Sequence, residues 1–144
     1  MKIYFPGGRR INADYKGHTI KTDQSQRSGG NGLHPNPFDL FKASLGTCMG
    51  YYVMRFCLER DIPLEWITLS FDFEEDNYIE SVSTQITVDR RFPEKYLKAV
   101  VKATESCKVK NQLAHPPHFQ IEAVYADHWF PRSFFAKAEC DLGQ

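Results

Sequence analysis

The feature that most constrains this chain is one long apolar segment with a marked beginning and end. Asn36 is a residue that caps helices, Pro37 is favoured in a first helical turn, and Asp39 stands where an acid completes a capping box. Residues 61–63 include a proline that ends the helical pattern. Apolar residues occupy most of the circumference in between, which is typical of a buried helix. The sequence therefore predicts a long central helix from residue 37 to about residue 60.

Shorter segments on both sides of this helix show the alternation of apolar and polar residues that is typical of strands. A second helix is predicted from Pro93 to about Cys107, where apolar residues recur at helical spacing. The remaining expected elements are an N-terminal β-meander at 2–5, 9–14 and 17–22, a β-hairpin at 67–73 and 78–88, a helical turn at 109–113 and a final strand at 119–125. This order predicts an α+β fold.

Length and charge exclude several classes of protein. A chain of 144 residues predicts one domain, 1–144, whose tail from about residue 127 is of uncertain structure. Eighteen basic and eighteen acidic residues balance, and no basic cluster is present, so we expect no nucleic-acid partner. No apolar run reaches the roughly 20 residues of a membrane helix, so we expect no membrane partner. The N-terminus lacks the pattern of a signal peptide, which favours a cytoplasmic location.

The chain has four cysteines, which are expected to be free thiols in a reducing compartment. Cys48 and Cys57 are nine positions apart, which places them on opposite faces of the predicted helix, so Cys57 is a poor partner for Cys48. Cys140 lies in the tail and is interpreted as an ordinary surface or interface cysteine. Cys107 stands beside Lys108 and Lys110, two cations that favour a thiolate.

Small residues surround Cys48 in the predicted helix. Gly46 and Gly50 each cost the helix about 1 kcal/mol relative to alanine, which suggests a requirement for close packing or for a site. From composition alone, however, Cys48 and Cys107 remain more typical of buried, inert cysteines.

Two motifs together change this interpretation. The first motif is the segment 36–48, with the sequence NPFDLFKASLGTC, and the second is the segment 103–110, with the sequence ATESCKVK. The predicted hairpin and most of the predicted second helix lie between them. This arrangement resembles the signature of the OsmC/Ohr family, the osmotically inducible protein C and organic hydroperoxide resistance proteins. The resemblance extends over about residues 2–126. It implies an OsmC-like fold and an intertwined homodimer with two sites at the interface.

The resemblance also implies a reaction. Cys48 would be the peroxidatic cysteine of a thiol-dependent peroxidase, and Cys107 would resolve its sulfenic acid to a disulfide, as thiol oxidation chemistry permits. The implied partners are a second copy of the chain, an organic hydroperoxide as substrate and a dithiol reductant of the lipoyl or thioredoxin kind. Neither a cofactor nor a metal is expected.

The residues that assist the cysteine match the family less well. Its peroxidases use an Arg from the N-terminal region, for which Arg9 is the nearest match and Arg10 and Arg27 are rivals. They also use a Glu, but Phe38 occupies that position here. Its neighbour Asp39 is interpreted mainly as a helix cap, with a supporting role at the site as the alternative.

Several alternatives remain open. The chain is also consistent with a thiol sensor that does not turn over, or with a small-ligand-binding dimer in which both cysteines are core residues. Cys107, His115 and His118 are a weaker candidate set of metal ligands. Finally, aromatic residues are candidates for an apolar pocket near Cys48, although core packing is their usual role; they are Phe38, Tyr51, Tyr52 and Phe56.

Overall fold

A computed structural model describes residues 1–125 of the chain. Its N-terminal strands form an antiparallel sheet in the order β1-β2-β3, as the sequence predicts. The strands are β1 (Lys2–Gly7), β2 (Arg10–Tyr15) and β3 (His18–Thr22). Lys16 and Gly17 join β2 to β3 with positive φ angles of 49° and 79°, the backbone of a two-residue hairpin turn that matches the twist of the strands.

A loop connects this sheet to the first helix and is organised by one buried carboxylate. Asp23 is 1 % exposed, and its oxygens accept hydrogen bonds from the backbone amides of Gln24, Asn31 and Leu33. Burial raises the pKa of Asp23, but these hydrogen bonds outweigh it and hold that pKa below its usual value. The buried carboxylate thus gives this loop a defined path.

The predicted central helix is confirmed as α1 (Pro37–Leu58). The Asn36 side chain accepts hydrogen bonds from the amides of Phe38 and Asp39, and the Asp39 carboxylate accepts one from the Asn36 amide. The helix ends slightly before the predicted boundary. Asp61 adopts a left-handed conformation with φ 53° just beyond it, and turns the chain back towards the core.

The predicted hairpin is confirmed as β4 (Ile67–Glu75) and β5 (Ile79–Val88), which pair antiparallel. Its inward side chains pack on α1, and Phe71 lies directly over Gly46. A Cβ atom at Gly46 would be 3.3 Å from the Phe71 ring, so the glycine permits close approach of helix and sheet.

The second predicted helix is shorter than expected. Only α2 (Leu97–Ala103) is α-helical, and the flanking turns Glu94–Tyr96 and Thr104–Ser106 are 3-10 helices. The predicted helical turn near residue 109 is α3 (Lys108–Ala114). Within residues 1–125, no helix combines the length and the hydrophobicity needed to cross a bilayer.

The predicted final strand at 119–125 is wrong for the single chain. The structure gives residues 116–125 no regular secondary structure, and Phe119, Ile121 and Tyr125 are more than four-fifths exposed. A strand forms only when its amides and carbonyls pair with a neighbour, and no strand of the described chain pairs with this segment. The tail from residue 127 lies outside the described residues.

Two apolar clusters pack along α1. The thiol cluster has Leu45, Met49 and Cys107 as its buried members, with Cys48, Tyr52 and residues of the hairpin against them. The second cluster lies nearer the end of α1 and contains Val53, Phe56, Cys57, Ile62, Phe92 and Val100. The opposite faces predicted for Cys48 and Cys57 thus correspond to two separate parts of the core.

Candidate redox site

The structure brings Cys48 and Cys107 into contact. Cys48 projects from α1 and is partly exposed, whereas Cys107 is fully buried in the thiol cluster. Cys107 follows the turn Thr104–Ser106 and caps the N-terminus of α3. The two side chains lie close enough for each to shift the pKa of the other. Two cysteines that are distant in sequence therefore form one local thiol pair.

The N-terminus of α3 faces this pair. The amide of Lys110 donates to Cys107 Sγ at 3.4 Å, and the amides of Val109 and Lys108 are directed at the Cys48 sulfur. The first amides of a helix have no partner within the helix and carry partial positive charge. The thiol pair thus receives donors that favour a negative sulfur.

These donors decide the pKa of Cys48. Burial raises the pKa of this thiol, but the Val109 amide, the Cys107 thiol, the Lys108 amide and the Lys108 ammonium together outweigh burial. The net effect is a pKa below the ordinary thiol value of 9.0. Since the thiolate is the nucleophilic form, Cys48 is the more reactive sulfur of the pair.

Cys107 has the opposite shift. Burial raises its pKa, and the neighbouring Cys48 raises it further, against a lowering by the Lys110 amide. The expectation that its neighbouring lysines favour a Cys107 thiolate is wrong, because Lys108 acts on Cys48 across the pair and burial dominates at Cys107. The two shifts favour ionisation of Cys48 over ionisation of Cys107.

The three candidate arginines lie with the N-terminal sheet and its following loop. Arg9 and Arg10 line a cleft with Phe5 and Gln24, and Arg10 donates hydrogen bonds to the carbonyls of Gly7 and Pro6. Arg27 belongs to the turn Gln26–Ser28. Within residues 1–125, no hydrogen bond or ion pair joins any of these arginines to Cys48 or Cys107.

Asp39 acts as a helix cap and also belongs to a separate cleft with His34. Phe38, at the position of the family's Glu, is half-exposed and its ring stacks on Phe41 at 5.6 Å between centroids. No hydrogen bond to the thiol pair from either residue is found in residues 1–125. Neither position 38 nor position 39 therefore supplies a carboxylate to the thiol pair.

Phe38 does line an apolar cavity of about 450 Å³ between α1, the hairpin and α3. Leu45 belongs both to this cavity and to the thiol cluster, so the cavity adjoins the site. Other apolar residues of its lining are Phe41, Ile79, Val82 and Leu113. Of the other aromatic candidates, Tyr52 packs against the thiol cluster, Phe56 belongs to the second cluster, and Tyr51 is half-exposed beside Arg55.

The remaining cysteine and histidine candidates are separate from the thiol pair. Cys57 is fully buried in the second cluster, where burial raises its pKa and only the Arg60 charge lowers it. His115 instead contacts the Asn111 carbonyl at the end of α3. Among the described residues, no three His, Cys, Asp or Glu side chains converge to hold a metal ion, and Cys140 lies outside those residues.

The functional groups that the sequence does not reveal are the backbone amides of Lys108 and Val109. Main-chain donors have no side-chain signature, and cysteine is not one of the residues preferred as a helix cap. The only available signal is the predicted helical turn that begins just after Cys107.

Comparison with known proteins shows the family and the fold of the chain. A family model described as OsmC-like protein matches residues 29–122 of the chain. The chain belongs to the OsmC-like family. Among solved structures, this OsmC-like protein is similar to an osmotic stress induced and detoxification response protein from Psychrobacter arcticus 273-4. The TM-score is 0.63 at 22 % identity, over 77 % of this chain and 85 % of that chain, which shows a shared fold. No curated protein matches the sequence significantly.

Proposed function

We propose that this OsmC-like protein is a thiol-dependent peroxidase that reduces organic hydroperoxides and so serves detoxification under stress. The observation that carries the proposal is the contact of two thiols whose pKa values are shifted in opposite directions. A lowered pKa suits Cys48 for attack, and a raised pKa keeps Cys107 protonated until it is needed.

The reaction takes place in two steps at these sulfurs. The Cys48 thiolate attacks the terminal oxygen of the hydroperoxide and the O–O bond breaks. Cys48 keeps the attacked hydroxyl as a sulfenic acid, and the alkoxide takes a proton from solvent and leaves as the alcohol. The Cys107 sulfur then attacks the Cys48 sulfur, water leaves, and a disulfide forms. A dithiol of the lipoyl or thioredoxin kind supplies the two electrons that restore both thiols.

The surroundings of Cys48 favour an organic substrate. The cavity that shares Leu45 with the thiol cluster is lined mainly by aliphatic and aromatic side chains, including Phe41 and Val82. Burial of an apolar substituent there contributes about 25 cal/mol for each Å² removed from water, a gain that hydrogen peroxide lacks.

We also propose that the active form is a homodimer. One face of α1 leaves Tyr51, Met54 and Leu58 exposed by 37–57 %, and a Cβ atom at Gly50 would meet nothing within 4 Å. A second copy packed on this face would bury these side chains. Arg9 forms no ion pair with a carboxylate of residues 1–125. In the dimer, Arg9 of one copy would reach the thiol pair of the other copy.

Peroxide consumption tests the main proposal. Reduced protein mixed with cumene hydroperoxide and dihydrolipoamide should consume peroxide, and the Cys48→Ser variant should fall to the rate without protein. Cys57→Ser is the matched control on the same helix and should retain activity whenever it folds. Equal rates for the wild-type chain and Cys48→Ser would contradict the proposal.

The arginine and the dimer need separate measurements. Sedimentation of the whole chain should give a dimer, and Gly50→Leu should shift it towards the monomer. Arg9→Ala should reduce peroxide consumption, whereas Arg10→Ala and Arg27→Ala should leave it near the wild-type rate. A loss confined to either rival would transfer the role to that arginine, and a monomeric wild-type chain would contradict the interface.

Phe38 favours one second candidate function, a thiol sensor. The position of the family's Glu carries an aromatic ring, so the site lacks that carboxylate during attack. A sensor predicts that peroxide converts Cys48 and Cys107 to a disulfide once, without turnover when dihydrolipoamide is added. Mass spectrometry of the oxidised protein separates the two: a disulfide without sustained peroxide loss identifies the sensor.

A further inference from the structure

Helix α3 is held to the rest of the chain by few side chains. It contains no fully buried residue, and Val109 is its only partly buried one. The residues from Lys110 to the end of the helix are all exposed. A seven-residue helix is too short to be stable through its own hydrogen bonds, so its contacts and its caps decide whether it forms.

The sulfur of Cys107 caps the N-terminus of α3, and the sulfur of Cys48 lies beside it. The Lys110 amide donates to Cys107 Sγ, and the amides of Lys108 and Val109 are directed at Cys48. These amides have no acceptor within the helix. The pKa of Cys48 is also lowered, which favours a negative sulfur at the positive end of the helix dipole, where an anion is stabilising.

The same helix forms part of the wall of the apolar cavity. Leu113, in its last turn, lines the cavity together with Leu45 and Val82. The start of α3 therefore contacts the thiol pair, and its last turn contacts the cavity.

We propose that α3 is a redox-responsive element, which is folded over the cavity while Cys48 and Cys107 are reduced and loosens when they form a disulfide. The inference rests on the proposed function in that it uses the same thiol pair. Formation of the disulfide from the Cys48 thiolate and the Cys107 thiol releases one proton and two electrons, and a hydroperoxide or another thiol oxidant accepts the electrons. The thiolate charge is then lost, and neither disulfide sulfur is as strong an acceptor as the thiolate, so the first amides of α3 lose their caps.

Loosening of α3 changes access to the site. Cys107 is fully buried in the reduced protein and Cys48 is partly exposed, so without a change in α3 a bulky dithiol reductant could meet only the Cys48 sulfur. Displacement of Leu113 and the first turn of α3 would open the cavity wall, release the alcohol product and admit the reductant. Oxidation would in this way prepare the protein for its own reduction.

Hydrogen exchange followed by mass spectrometry tests this proposal on the full-length chain. A Cys140→Ser background removes the tail thiol, and diamide, a general thiol oxidant, forms the disulfide independently of any peroxidase activity. Peptide mapping verifies the link between Cys48 and Cys107. We expect hydrogen exchange of amides 108–114 to accelerate roughly fivefold or more on oxidation. This ratio corresponds to the loss of a helix cap that contributes about 1 kcal/mol. Amides 53–58 of α1 should keep their exchange rates.

Two variants control for effects other than the disulfide. Cys48→Ser and Cys107→Ser cannot form it, so diamide should leave exchange at 108–114 unchanged in both. The hydroxyl that Cys107→Ser introduces should slow exchange slightly, because serine is a better helix cap than cysteine. Unchanged or slower exchange of α3 in a verified disulfide would overturn the redox response and leave the peroxidase proposal intact. Failure of diamide to link the two cysteines would overturn both.

Discussion

Helix α1 carries two cysteines in two different parts of the core. Cys57 is enclosed by side chains such as Val53 and Phe92, and the one charge that acts on it, that of Arg60, does not compensate for burial. Cys48 is also penalised by burial, but backbone amides of α3 point at its sulfur and reverse the shift. The thiol that has hydrogen-bond donors beside a cation has the lowered pKa, and the more deeply buried thiol that has a cation alone has the raised pKa.

The largest expected effect comes from a variant that removes packing from the second cluster and leaves the thiol cluster unchanged. Phe92→Ala should lower the free energy of unfolding by about 3–5 kcal/mol, because Phe92 is a buried aromatic side chain of that cluster. The folded protein should keep its alkylation rate at Cys48. Denaturant unfolding gives the first quantity and peptide mass spectrometry the second; Phe92→Leu is the milder control. A parallel loss of Cys48 reactivity in Phe92→Leu would show that the two clusters are not independent.

A smaller effect is expected from Cys57 itself. Cys57→Ser should cost about 1–3 kcal/mol of stability, because it places a hydroxyl in an apolar cluster that offers it no evident partner. Cys57→Ala leaves no polar group behind and provides the matched comparison. Both variants should consume peroxide at the wild-type rate per folded molecule. A faster or slower rate in Cys57→Ala would mean that Cys57 takes part in the chemistry.

Alkaline pH should separate the two kinds of thiol. The pKa of Cys57 is raised in the folded protein, so above the ordinary thiol value of 9.0 the unfolded chain loses this proton first and stability falls. The slope from this group is at most about 1.4 kcal/mol per pH unit. Cys57→Ala should therefore flatten the alkaline decline in unfolding free energy, measured against the wild-type chain from pH 8 to 10 (roughly the range around the thiol value).

The opposite sign holds for Cys48. Its folded pKa is lowered, so its contribution is present above the unfolded value and is lost as pH falls through the folded value. Cys48→Ser should remove that dependence. An alkaline decline that is identical in Cys57→Ala and in the wild-type chain would contradict the assignment of Cys57 as the buried, neutral thiol.

The smallest predicted effect concerns Lys108. Lys108→Gln removes one exposed charge but keeps the backbone amide, so alkylation of Cys48 at neutral pH should slow by only roughly two- to threefold. High salt should reduce the difference further. Lys110→Gln is the control, since the Lys110 amide faces Cys107 instead. A much larger loss in Lys108→Gln would mean that the ammonium, and not the amides, activates Cys48.

Much of the fold follows from local signals in the sequence. The capping residues Asn36 and Asp39 define the start of α1, and alternation defines the meander and the hairpin. The segment 119–125 has the alternation of a strand, but it has no strand partner in the described chain. Alternation predicts which side chains share a face and does not identify the neighbouring strand, so this failure could not be seen in the sequence. The predicted second helix is too long because its spacing does not distinguish an α-helix from 3-10 turns at its ends.

The candidate site is predictable only in part. The motif around Cys48 and its resemblance to the family identify both cysteines of the pair. The direction of their pKa shifts is not accessible from the sequence, since it depends on the position of the α3 amides and on the complete burial of Cys107. The role proposed for Arg9 stays a prediction, because it requires a second copy of the chain.

The central claim is that Cys48 is an activated thiol and Cys57 is not. Its most direct test is the rate of iodoacetamide alkylation at each cysteine as a function of pH, measured by peptide mass spectrometry on the folded, reduced chain. The midpoint for Cys48 should lie below the ordinary value of 9.0, and Cys57 should react far more slowly at every pH at which the protein is folded. A Cys48 midpoint at or above 9.0 would contradict the account.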